Sequence, residues 1–119
     1  MNQKVRIRLA NLKDLAAIVE IYLEAFNKKS GGSALARDLE EAEAKSPLAM
    51  LYYVAETQSG VLGYISACPL PEAMDIYEIA IRPEARKQGI GRLLMNKIID
   101  EAFSRKIDLV MLEVAVTNL

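Results

Sequence analysis

Arg86-Lys87-Gln88-Gly89-Ile90-Gly91, with Arg92 next, sets two glycines among basic side chains. The apolar run Ile76 to Ile81 before it reads as a strand, and Leu93 to Phe103 after it has helical spacing. Glycine allows a tight turn and a close approach of backbone to a ligand. A helix N-terminus offers unpaired N–H groups and a partial positive charge. A strand–glycine–helix junction of this kind is an anion site, suited above all to phosphate. Proton transfer needs a second group. Glu113 is a carboxylate inside an apolar run near the C-terminus, where burial would raise its pKa toward a useful range. Cys68, the single cysteine, reads as a small packed side chain.

Other chemistries are excluded by composition. The chain has 119 residues, 52% hydrophobic and 26% charged, which suits one domain with a core of its own. A net charge of −1 gives no global field toward nucleic acid. One cysteine rules out an internal disulfide and fits a reducing compartment. The absence of histidine removes Cys–His and Ser–His–Asp catalysis and the commonest metal ligand. Acid–base work therefore falls to carboxylates, tyrosines or Cys68. No run approaches the ~18 apolar residues of a membrane span, and no signal peptide is visible. The expectation is a soluble cytoplasmic protein without metal, nucleic-acid partner or membrane.

The elements that must position the glycine stretch follow from periodicity. Lys4 to Leu9 alternates polar and apolar, the pattern of a half-buried strand. Asn11 caps a helix with Asp14 at its third position, and Leu12, Leu15, Val19, Tyr22 and Phe26 form its stripe, widened by Ile18 and Leu23. Gly31-Gly32 closes that unit. Ser33 caps a second helix that ends before Pro47, with a thin apolar face of Leu35, Leu39 and Ala42. Glu40, Glu41 and Glu43 on it are either a solvated face or an acidic lip for a cationic amine. Leu51 to Thr57 and Val61 to Cys68 form a hairpin through Gln58-Ser59-Gly60, and Gly63 marks a bulge or a close approach. Met74 to Ile81 is a further strand, stopped by Pro83. The helix after the glycines uses Leu94, Ile98 and Ala102 as its core face, with Leu93, Ile99 and Phe103 beside it. Ile107 to Val116 is the last strand. The order β-α-α-β-β-β-α-β makes an α/β domain with a mixed sheet and a right-handed β-α-β crossover.

Among phosphate motifs, a P-loop is absent. A dinucleotide fingerprint fails because Leu94 stands at its third glycine and the first lies eight positions beyond Ile81. The Arg/Gln-x-x-Gly-x-Gly/Ala motif of acetyltransferases matches Arg86 to Gly91 at every fixed position. Here the chain resembles the GNAT N-acetyltransferase superfamily. Glu78 to Pro83 resembles its fourth strand, and Gln58 to Ile65 its second hairpin. Leu112-Glu113-Val114, with Asn118 five residues after the glutamate, resembles the branch that acetylates the N-terminal alanine of a ribosomal protein.

The resemblance implies one acetyltransferase domain over residues 1–119. Acetyl-CoA would place its pyrophosphate on the amides of Lys87, Gln88, Gly89, Ile90, Gly91 and Arg92, with Arg86 alongside. Ile79, Ala80 and Ile81 would pair with the pantetheine arm, and Asn118 would contact the cofactor. An amine would attack the thioester directly, with Glu113 as base and Glu78, where other branches keep a glutamate, as second candidate. The family continues with a helix carrying the tyrosine acid and two further strands. None matches here, so the resemblance implies a C-terminally incomplete domain. It also leaves Ile107 to Val116 an apolar edge strand, which predicts a homo-oligomer through that edge.

Overall fold

The polar–apolar alternation at the N-terminus yields strand β1 (Arg6–Leu9) in a computed structural model that describes residues 4–28, 33–43 and 49–112. Asn11 closes a capping box: Lys13 N–H donates to Asn11 Oδ1 at 2.9 Å and Asn11 N–H to Asp14 Oδ2 at 2.9 Å. The first turn, Leu12–Asp14, is 3-10, and helix α1 runs over Leu15–Ala25. Its fully buried residues are Ile18 and Ile21, while Leu15, Val19, Tyr22 and Phe26 line the margin of the contact. The core face is thus turned from the expected stripe, because the 3-10 turn rotates Leu12 out of register with α1. Helix α2 (Ser33–Glu43) buries Leu35 and Leu39 and leaves Glu40 and Glu41 exposed. Gly31-Gly32 lies outside the described residues, as do the side chains of Ala42 and Glu43.

Arg8 fastens β1 to the helical entry. Its guanidinium donates to Asp14 Oδ2 and Oδ1 at 2.8 and 2.9 Å and to Glu56 Oε1 and Oε2 at 2.9 and 3.0 Å. Arg6 adds a bond to Glu56 at 2.6 Å. Those bonds hold Glu56 down to about pKa 2 and Asp14 below its ordinary value.

The sheet has the order β1-β2-β3-β4-β5. Strands β2 (Leu51–Thr57), β3 (Gly60–Pro69) and β4 (Met74–Ile81) form the antiparallel body, and β5 (Val110–Leu112) runs parallel to β4. Helix α3 (Ile90–Ser104) crosses between them. The chain is therefore an α/β fold with a mixed sheet in the expected order. β5 begins at Val110 rather than Ile107, and the reason is local. Lys106 takes a left-handed φ of 60°, its N–H donates to Phe103 O, and Ile107 N–H donates to Ala102 O at 2.8 Å. This Schellman closure spends the backbone of Ile107 on the helix end. Residues 113–116 of the expected strand lie outside the described residues.

Two apolar layers sandwich the sheet. Ile90, Leu94, Ile98 and Ala102 of α3 pack on Tyr53, Ile65, Met74, Ile76, Ile79 and Ile81. Ile18, Ile21, Leu35 and Leu39 pack on Tyr52, Val54, Tyr64 and Ala80 on the other face. Leu94, Ile98 and Ala102 hold the core as expected. Leu93, Ile99 and Phe103 do not: all are exposed, Phe103 at 84%. A single ridge of fourfold spacing meets the sheet, and these flanking positions fall beyond it.

Two irregularities mark the pairing of β3 with β4. Ser66 pairs with Glu78 but Ala67 pairs with Ile76, so Tyr77 is an extra residue in β4. Gly63 is the close approach expected of it. A β-carbon there would lie 2.6 Å from Ile81 Cδ1 and 2.8 Å from the carbonyl oxygen of Ala80.

Candidate functional site

The end of β4 and the start of α3 are joined by a loop wound back on itself. A 3-10 turn at Pro83–Ala85 leads to extended Arg86, then Lys87 at φ 63° and Gly89 at φ 83°. Gly89 is the N-cap of α3 and supplies no side-chain cap. Added atoms at Gly89 would meet nothing within 4 Å, so its glycine answers the left-handed backbone, not crowding. Leu93 N–H makes the bond to Gly89 O, at 3.1 Å. The amides of Ile90, Gly91 and Arg92 precede that bond and lack intrahelical acceptors. They open on a pocket of about 450 Å³ lined by Gly89, Gly91, Arg92, Met95 and Asn96. Lys87 and Arg92 are exposed beside it.

Two loop side chains serve the loop itself. Arg86 Nε donates to Ile81 O at 3.1 Å, tying the loop to the end of β4. Gln88 Nε2 donates to Glu84 O at 3.3 Å. β4 pairs with β5 only at Met74, Asp75 and Ile76. Over Ile79 to Ile81 its outer edge has no strand partner among the described residues. That edge runs from Glu78 to Ile81, about 10 Å at 3.3 Å per residue, and leads into the loop that opens α3.

Glu78 is half-buried on the opposite face from α3. Tyr64, fully buried on β3, donates its hydroxyl to Glu78 Oε1 at 3.0 Å. Burial pushes the Glu78 carboxyl above the usual carboxylate range; the like charge of Asp38 adds to this and the Tyr64 hydroxyl opposes it. Tyr52 donates to Asp38 Oδ2 at 3.2 Å, and its ring stacks on Tyr64 with centroids 6.4 Å apart. Burial drives both phenols far above their ordinary value, so they stay protonated donors. A carboxyl raised by burial, an anion cradle and, among the described residues, an unpaired strand edge between them can position a phosphate-bearing chain and remove a proton at its far end.

The profile of the GNAT acetyltransferase family matches residues 15–119. The chain belongs to the GNAT acetyltransferase family. Solved structures share the GNAT fold. A ribosomal-protein-alanine N-acetyltransferase from Brucella melitensis biovar Abortus 2308 has a TM-score of 0.76 at 18% identity, with 94% of this chain and 81% of that one covered. An aminoglycoside N-acetyltransferase, AAC(6')-Iy, in complex with CoA has a TM-score of 0.78 at 14% identity, covering 97% and 80%. The PaiA N-acetyltransferase from Thermoplasma acidophilum in complex with coenzyme A has a TM-score of 0.74 at 14% identity, covering 87% and 75%. No curated protein matches the chain in sequence.

The GNAT frame brings together most of the residues singled out by sequence. Ile79, Ala80 and Ile81 continue β4 from Glu78, and Arg86 to Arg92 carry the chain into α3, with Arg86 bonded back to Ile81 O. Glu113 and Asn118 lie outside the described residues. Among the described residues no cluster of three or more Cys, Asp or Glu could hold a metal, and no helix is long and apolar enough to cross a membrane. Sequence reasoning missed Tyr64, Tyr52, Asp38 and Ser66. The signal was present only as parity: once the hairpin register is known, Tyr52, Tyr64, Ser66 and Glu78 share a face.

Proposed function

We propose that this chain is an acetyl-CoA-dependent N-acetyltransferase acting on a primary amine, with residues 1–119 forming one such domain. What carries the reading is the order along β4: an anion cradle beyond one end, a carboxyl raised by burial at the other and, among the described residues, an unpaired edge between. The amides of Ile90, Gly91 and Arg92, with Lys87 and Arg92 beside them, hold the pyrophosphate. The backbone from Ile79 to Ile81 takes the pantetheine arm as an added strand. Arg86 keeps cradle and edge in register through Ile81 O. Glu78 takes the proton of the attacking amine, directly or through one water, as the C–N bond forms and the C–S bond breaks. CoA leaves as the thiol, and no covalent enzyme intermediate is needed. Asn118 is kept as a cofactor contact; Glu113, the first candidate base by sequence, lies outside the described residues and stands here as the alternative to Glu78. Relatives of this fold include enzymes named for aminoglycosides and for a ribosomal-protein alanine, so both small amines and protein N-termini belong in the acceptor panel.

CoA should stabilise the protein by about 2.7 kcal/mol at a hundredfold excess over Kd, read as a rise in Tm. Acetyl-CoA with an amine panel should release thiol above the amine-free background. Stabilisation without thiol release makes the chain a CoA-binding module instead. No stabilisation at all sinks both.

The β5 edge supports a second part of this reading, pairing with a further copy of the chain. Among the described residues β5 borders the sheet, and Leu109, Leu112 and Phe103 are exposed around it. Solution scattering should return a dimer mass at high protein concentration; a monomer mass there refutes the pairing.

A further inference from the structure

Arg82 stands where the sheet stops and the glycine loop begins, and it is held from three sides. Pro83 restricts the residue before it to extended backbone, and Arg82 takes φ −58° and ψ 144°. Its N–H donates to Leu62 O at 2.8 Å, carrying the β3–β4 ladder past its last pair, Gly63 with Ile81. Its side chain turns to the face that carries Ala80, where α1 packs. There Nε donates to Val61 O at 2.8 Å and Nη1 to Glu20 Oε1 of α1. On the loop side, the Arg82 carbonyl accepts from Ala85 N–H at 2.9 Å and closes the 3-10 turn.

The ion pair alone is a weak bond. The Glu20 side chain is 68% exposed and that of Arg82 21%, and a pair open to water on one side contributes little. Its weight comes from what it joins. Glu20 belongs to the helix that Ile18 and Ile21 seat on the face shared by Tyr64 and Ala80. Beyond Arg82, the bonds of Arg86 N–H to Pro83 O, Arg86 Nε to Ile81 O and Leu93 N–H to Gly89 O shape the turn. The amides of Ile90 to Arg92 point into the cradle only while that turn keeps its shape. One side chain therefore fixes α1, the start of β3 and the root of the cradle to one another. Two elements joined in this way stabilise each other reciprocally.

We propose that Glu20 and Arg82 form a strut that carries order between α1 and the cradle loop, with Arg82 a positioning residue for the diphosphate ligand. Arg82 acts on that ligand only through the loop. For its ligand the inference rests on the acetyltransferase reading. A cofactor seated on the cradle then tightens α1 on the Glu78 face, and a loosened α1 weakens the cofactor.

The test measures KM for acetyl-CoA, kcat, and Kd for CoA by calorimetry in Glu20→Gln, Arg82→Gln, Arg82→Lys and the double variant Glu20→Gln/Arg82→Gln. Arg82→Gln should raise KM and Kd about tenfold, the scale for loss of charge-assisted hydrogen bonds, and leave kcat at saturating acetyl-CoA within about twofold. Glu20→Gln should raise both by about two- to fivefold. Arg82→Lys keeps the charge beside Glu20 and should recover part of the loss. The double variant should lose no more than Arg82→Gln, because Glu20 acts through Arg82; losses that multiply overturn the proposal. So does a fall in kcat with KM unchanged. Hydrogen exchange in the free protein, read by NMR, is the ligand-free arm. Glu20→Gln should speed exchange at the Ala85, Arg86 and Leu93 amides by about two- to fivefold and leave Lys106 and Ile107, at the far end of α3, unchanged. Equal acceleration at both ends, or none in the loop, overturns the strut. If CoA fails to bind the wild type, the acetyltransferase reading falls while exchange in the free protein still decides the strut.

Discussion

Glu78→Gln should lower kcat/KM for acetyl transfer by about 10²- to 10⁴-fold, the range for loss of a positioned general base. The amide keeps the size of the side chain and still accepts from the Tyr64 hydroxyl. CoA affinity should hold, because the cradle at Gly89 to Arg92 is untouched; a thermal shift with CoA checks this. In the wild type the acid limb of kcat/KM should lie above the ordinary carboxylate range, since burial raises Glu78 and only its deprotonated form accepts a proton. The variant should lose that limb.

Stability should move the opposite way. The folded-state pKa of Glu78 is raised, so the folded protein holds this proton to higher pH than the unfolded chain does. The charged form therefore weakens the fold as pH rises through the folded value, and costs nothing below the unfolded one. Glu78→Gln removes that cost and should raise Tm at neutral pH, with the two proteins converging near pH 3. An inactive variant with higher Tm is the outcome that ties the strain to the activity. Retention of kcat/KM within threefold would move the role to Glu113.

Gly63→Ala should cost about 1–3 kcal/mol of stability, the range for overpacking a tight contact. Its new methyl meets Ile81 Cδ1 at 2.6 Å, which can give way, and the Ala80 carbonyl at 2.8 Å, which cannot without moving β4. In a domain of this size that is a Tm loss of roughly 4–12 °C, read by calorimetry. The displaced strand is the ledge from Ile79 to Ile81, so CoA should also stabilise the variant less than the wild type. A full CoA shift on a variant of lowered Tm would separate the ledge from the cofactor.

Local chemistry made much of the fold legible in the sequence. The Asn11–Asp14 capping box, the hairpin around Gly60, the limits of Met74 to Ile81 and the Leu94–Ile98–Ala102 face all depend on neighbours in sequence, and each is found. The glycine stretch was legible for the same reason, since Gly89 needs its left-handed φ whatever packs around it. Lys87 at φ 63° was not, because no property of lysine asks for it; the turn between two fixed glycine and proline anchors imposes it.

Glu78 divides what each level determines. From sequence it was a carboxylate in a strand, and strict alternation from Met74 and Ile76 would put it on their side, against α3. The extra residue Tyr77 reverses the parity: Ile79 and Ile81 now join Met74 and Ile76 beneath α3, and Glu78 turns to the other face with Ala80. There it meets Tyr64, Ser66 and, through Tyr52, Asp38 from a separate helix. The sequence by itself determined the family, the order of elements and the glycine turn that opens α3, because those rest on short-range patterns. Only the tertiary structure decided which way the carboxylate faces and what surrounds it, because a bulge is set by how β3 and β4 pair, and pairing is a property of two strands together.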